Sequence, residues 1–333
     1  PASAAKHGDG ETIGKRRRKT SRCANFITLG VFRERSGLFE MASRAYNVLD
    51  GMGEALLALA RKHSTPQQWA EWLKVPLQGA ALEGDVTMVT TLLKAGAASS
   101  GEREGDGQTP LHAAVEGGSL NVVMALLNRK AARDVNKTTR DSRHTPLYCA
   151  VTNGYGDMAL LLVRARADLD IADYRGWSPL MRASADGHAE LVNNLLLSGA
   201  SAKFRDKKGN TPLHFAVQHG HLNVIKVLLK GGVSLAFRRK SGNMSVVDMA
   251  AKRGDTRLLK ELLVTGRNSS ALDDGGISAL SIAAREGHAE VIDALVDAGA
   301  IPDGLNADAA TPLHLACLYL KTDSVRALLR RNA

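Results

Sequence analysis

Apolar positions in the stretch GNTPLHFAVQHGHLNVIKVLLKGG, Gly209 to Gly232, fall into two runs with helical spacing. Leu213, Ala216 and Val217 share one face of a short helix, and Leu222, Ile225, Leu228 and Leu229 share one face of a second, antiparallel helix. The residues between the runs punctuate them. Thr211 can cap the first helix by accepting a backbone N–H, and Pro212 suits the first helical position, where no donor is needed. Gly220 allows a left-handed end and a tight turn, and Gly231-Gly232 closes the unit. Helices this short do not hold alone in water. The unit must bury its apolar face against others of its kind.

Such units are present. QTPLHAAVEGG from Gln108 and ATPLHLACLYL from Ala310 repeat the pattern closely. HTPLYCAVTNG from His144, WSPLMRASADG from Trp177 and ISALSIAAREG from Ile277 are weaker copies, and SVVDMAAKRGD from Ser245 and VPLQGAALEGD from Val75 are the most degenerate. The positions equivalent to Thr211 are Val75, Thr109, Thr145, Ser178, Ser245, Ser278 and Thr311, and successive copies stand 34, 36, 33, 33, 34, 33 and 33 residues apart. Gly84, Gly118, Gly154, Gly187, Gly220, Gly254 and Gly287 keep the same interval, and Leu320 stands last in that series.

This period and the T-P-L-H-x-A motif resemble the ankyrin repeat, over roughly Val75 to Ala333 and about eight copies. The resemblance implies an all-α solenoid of stacked helix-turn-helix units with protruding hairpin-like loops, each unit packing only on its neighbours. It implies that His112, His214 and His314 hydrogen-bond locally and tie loops together, and that His188, His221 and His288 fill the position after the turn. It further implies that the loop before each Thr and two late positions of the first helix face a shared concave surface suited to a partner. On that reading the closely spaced His214, His219 and His221 are structural, with only His219 peculiar to its own repeat, and no metal or cofactor is expected.

The flanks read differently. Residues 1–37 are a disordered basic tail containing KRRRKTSRC, whose Lys15, Arg16, Arg17, Arg18 and Lys19 suit nuclear import, contact with nucleic acid or anionic membrane, or simple solubility. Before residue 51 there are ten Lys/Arg against five Asp/Glu, half of the formal excess of +10. Residues 38–74 turn helical, with Met52, Leu56, Leu59 and His63 on one face, and Trp69 and Trp72 are expected to help cap the first repeat. Ser21 and Ser241 follow basic residues and are candidate phosphorylation sites.

Composition narrows the chemistry. The chain is 44% hydrophobic but only 4% aromatic, which suits thin layers of Leu, Ala and Val. Cys23, Cys149 and Cys317 are few, scattered and odd in number, which points to a reducing, cytoplasmic or nuclear setting rather than a disulfide framework. No run of 18 apolar residues suggests a membrane span. No phosphate loop, nucleophile elbow, H-E-x-x-H helix or paired C-x-x-C occurs, so no catalytic site and no small-molecule substrate are expected.

The residues free to vary between repeats are then the candidate site: Tyr174, Arg175 and Trp177 in the fourth repeat, Arg205, Lys207, Lys208 and His219 in the fifth, Arg239, Lys240 and Arg253 in the sixth. Together they form a basic strip with Trp177 as its aromatic anchor, free of packing between repeats. The expected function is a non-catalytic scaffold holding a protein partner, acidic by preference. The alternatives are a regulatory arm of a larger enzyme and a nucleic-acid or membrane binder acting through the tail. The sixth repeat is expected to be a weak joint, because SVVD lacks both the proline and the bonding histidine.

Overall fold

A computed structural model describes residues 73–333 apart from residues 100, 104, 129–133, 236, 241, 266–276 and 307. The basic tail, nearly all of the segment 38–74, Trp69, Trp72, Ser21 and Ser241 lie outside the described residues.

Sixteen helices in eight pairs, and no strand, occur among the described residues. The pairs are α1 (Lys74–Glu83) with α2 (Val86–Lys94), α3 (Pro110–Glu116) with α4 (Leu120–Leu127), α5 (Pro146–Thr152) with α6 (Gly156–Arg164), and α7 (Pro179–Asp186) with α8 (Ala189–Leu197). They continue as α9 (Pro212–His219) with α10 (Leu222–Lys230), α11 (Val246–Arg253) with α12 (Thr256–Thr265), α13 (Ile277–Glu286) with α14 (Ala289–Asp297), and α15 (Pro312–Leu318) with α16 (Thr322–Arg330). First helices pack on first helices, as α7 on α9 and α9 on α11, and second helices on second helices, as α8 on α10 and α14 on α16.

The punctuation residues act as their chemistry dictates. Thr109, Thr145, Ser178 and Thr311 each accept a backbone N–H from the first turn that follows, with proline immediately after. The buried leucines Leu111, Leu147, Leu180 and Leu213 then enter the layer between repeats. In α10 the buried face is Val224, Ile225, Leu228 and Leu229, with Leu222 only half-buried. The first repeat departs from expectation. Its helix starts at Lys74 after Leu73, which offers no capping oxygen, and Val75 points outward.

The histidines of the TPLH motif close a reciprocal cap. His112 Nδ1 accepts the Thr109 N–H at 3.2 Å and Nε2 reaches the His144 carbonyl of the next repeat at 3.0 Å, so one ring joins a helix start to a neighbouring loop. His214 Nδ1 accepts the Thr211 N–H at 3.1 Å. In the sixth repeat Asp248 does the same work: its carboxylate accepts the Ser245 N–H at 2.8 Å while its own N–H donates to Ser245 Oγ at 3.1 Å. The lost histidine therefore costs this repeat no cap.

The turn after each first helix is left-handed, with φ from 70° at Gly118 to 99° at Gly287. At Gly187 a Cβ would come within 2.7 Å of the His221 ring of the following repeat, so both conformation and contact require glycine there. Leu320 occupies the same left-handed turn at φ 55°, with its side chain exposed. Because left-handed backbone costs a non-glycine residue about 1–2 kcal/mol and this side chain buries little, Leu320→Gly is expected to stabilise the last repeat by about 1 kcal/mol, read from a urea midpoint.

Candidate functional site

The site is built on the loops that precede the first helices. In the fourth and fifth repeats each turns on a carboxylate that accepts its backbone N–H groups. Asp173 takes those of Arg175 and Trp177, both at 2.8 Å, and Asp206 takes those of Lys208 and Asn210, at 2.9 and 2.7 Å. Neighbouring tips are stitched together by backbone bonds, Arg140 N–H to the Asp106 carbonyl at 2.8 Å, Tyr174 N–H to Ser142 at 3.2 Å, and Lys240 N–H to Lys208 at 2.9 Å. The tips thus form one row. In the sixth repeat Arg239 stands where the fourth and fifth repeats have the turn-forming Asp173 and Asp206, which adds a cation and removes an anion at the loop base.

The structure corrects the reading of Trp177. Its ring is half-buried and lies 4.3 Å from that of Phe215 in the next repeat, against a buried cluster that includes Met181 and Ala185. It packs between repeats instead of standing free, because Phe215 is the one aromatic among the equivalent positions, Ala113, Cys149, Arg182, Met249, Ile282 and Leu315, and offers a flat apolar shelf. The exposed groups beside it are Tyr174 and Arg175. The Arg175 guanidinium lies 5.1 Å from the Tyr174 ring and 5.7 Å from the Trp177 ring, and Nε donates to the Tyr174 hydroxyl at 2.6 Å. The two rings and the hydroxyl hold this guanidinium in one place at the exposed tip.

Several of the other cations are partly engaged. Lys207 Nζ donates to the Tyr174 carbonyl at 2.6 Å, Arg205 Nη2 to the Arg238 carbonyl at 2.5 Å, and Arg253 Nη1 to the Gln218 carbonyl at 2.9 Å. These bonds cross between repeats and hold the charges in place. Lys208 and Lys240 project exposed from the tips, and His219 is exposed at the end of α9 with its ring 6.1 Å from that of His221. His221 itself reaches the Ala185 carbonyl at 2.9 Å, and His214 serves the cap, so these closely spaced histidines divide among separate partners.

A charge partition along the array was legible in the sequence and is sharper than the strip first singled out. Residues 203–257 carry 12 Lys/Arg against three Asp/Glu, whereas the rest of residues 75–333 carries 19 against 24. The three acids are tied up locally. Asp206 and Asp248 are buried in their turns, and Asp255 accepts the Leu258 N–H at 3.0 Å. Of the 12 cations, Lys226 and Arg238 pair with carboxylates among the described residues, at 3.5 Å each. The fifth and sixth repeats are a basic island in an otherwise acidic stack.

Elsewhere, burial holds groups neutral. It draws His112 and His214 down to about 4, with Arg239 and Arg205 adding to the effect at His214. It pushes the Cys149 thiol up to about 12 and raises the Tyr148 hydroxyl, which donates to Asp173 at 3.1 Å. Neither group is an activated nucleophile.

A model of ankyrin repeats matches residues 77–173, 157–238 and 247–333. The chain belongs to the ankyrin-repeat family. Ankyrin repeats are, as a family, non-catalytic protein-interaction modules. Curated relatives share stretches of the array: a transient receptor potential cation channel, subfamily A member 1, from Drosophila melanogaster is 32% identical over 109 residues, which is 32% of this chain and 9% of the channel. Cortactin-binding protein 2 from Rattus norvegicus is 39% identical over 72 residues, 22% of this chain and 4% of that protein. The E3 ubiquitin-protein ligase XB3 from Oryza sativa subsp. japonica is 39% identical over 88 residues, 25% of this chain and 19% of the ligase. This ankyrin chain therefore spans less than a fifth of the length of each of these relatives. No helix among its described residues is long and apolar enough to cross a membrane.

Proposed function

We propose that this ankyrin array is a non-catalytic scaffold that holds an acidic protein partner against the first-helix side of its fourth to sixth repeats, in a reducing, cytoplasmic or nuclear compartment. The observation that carries the reading is the basic island, 12 cations against three acids that are all engaged in turns and caps. Clustered charge of one sign steers a partner of the opposite sign and speeds association. The unpaired Cys149 and Cys317 agree with the compartment.

A photo-crosslinking residue placed at Gln218, exposed at the end of α9, tests the location. Irradiation in cell extract is expected to trap a discrete protein, and the same residue placed at exposed Leu197 on α8 is expected to trap none. Equal trapping at both positions, or none at Gln218, sinks the reading.

A further inference from the structure

We infer that the partner segment is a short, extended acidic peptide with two separated groups of carboxylates, one received at the loop tips and one at the far ends of α9 and α11. This rests on the scaffold reading above and specifies its ligand. Lys208 and Lys240 sit in the loops that lead into the N-terminal ends of these two helices, and His219 and Lys252 sit at their opposite ends, all four exposed. The two helices pack side by side and have eight residues each. Eight helical residues span about 12 Å, so the two groups of cations stand at least that far apart. An extended chain covers that distance in about four residues.

The neighbouring repeats set the width. At the position of His219 and Arg253, the fourth repeat has Asp186, paired with Arg182 at 2.7 Å, and the seventh has Glu286, paired with Arg285 at 3.0 Å. Locally paired carboxylates in the fourth and seventh repeats therefore flank His219 and the cation Arg253 in this row. A long polyanion such as RNA would meet charges already paired in this row where it left the two central repeats, whereas a peptide that fits across them keeps its carboxylates beside Lys208, Lys240 and Lys252.

The test uses the full chain and three fluorescent probes of matched length, read by anisotropy. One peptide has two glutamate triplets separated by four Gly/Ser residues, one has all its glutamates replaced by glutamine, and one is a single-stranded oligonucleotide of equal charge. The bipartite peptide is expected to bind at least about tenfold more tightly than the other two. Lys208→Glu with Lys240→Glu, and separately His219→Glu with Lys252→Glu, are each expected to weaken it about tenfold with unchanged circular dichroism, whereas Arg16→Glu with Arg17→Glu and Arg18→Glu in the tail leaves it unchanged.

Oligonucleotide binding as tight as the peptide, loss of binding with the tail variant, or no effect of the His219/Lys252 pair overturns the inference. If the Gln218 crosslink still forms while both charge-reversal pairs leave the trapped protein unaffected, the scaffold reading stands and the acidic bipartite ligand falls. If the crosslink is absent as well, both fall.

Discussion

Lowering the pH from 7 to 4.5 is expected to destabilise the array by about 2–3 kcal/mol for each of His112 and His214, beyond what the carboxylates contribute. Both rings are buried and bind a proton only near pH 4 in the folded chain, against an ordinary value of 6.5. The unfolded chain therefore takes up the proton first. The stability held by the neutral rings is complete above pH 6.5 and is lost as the pH falls toward 4. Urea unfolding at the two pH values measures the loss. His112→Gln and His214→Gln should each shrink the pH-dependent part by about 2 kcal/mol, since glutamine does not titrate. A pH dependence identical in all three proteins would show that the buried rings are not its source.

Trp177→Ala is expected to cost about 2–3 kcal/mol of stability, below the 3–5 of a fully buried aromatic because the ring is only half-buried. The loss comes from its tilted ring contact with Phe215, which joins the fourth repeat to the fifth, and from its contact with Met181 and Ala185. Tyr174→Ala, at an exposed tip, should change stability by under about 0.5 kcal/mol. A double-mutant cycle with Phe215→Ala should return a coupling of about 1 kcal/mol. An unchanged urea midpoint for Trp177→Ala would return the tryptophan to the exposed strip. Weaker partner capture by this variant would otherwise reflect a loosened joint, and Trp177→Phe, which keeps a ring against Phe215, should restore it.

What the sequence determined by itself was the repeat: its interval near 33 residues, its caps at Thr109, Thr145, Ser178 and Thr311, its left-handed turns and its buried leucines. These features are local. A Thr-Pro start and a glycine end act within a few bonds of themselves, and eight copies in register report the same answer eight times. The basic island was legible too, since charge can be summed along the chain without coordinates. Tertiary structure alone decided which side chains are free. Trp177 looks like an exposed anchor until Phe215, 38 residues later, is seen beneath it. Asp248 likewise reads as a missing histidine until its carboxylate is found on the Ser245 N–H. Asp248 acts within its own first turn, three residues from Ser245, but for Trp177 the physical reason is one of distance. Contacts between repeats join residues some 33 positions apart whose types vary from copy to copy, so the repeating pattern that reveals the scaffold carries no record of them.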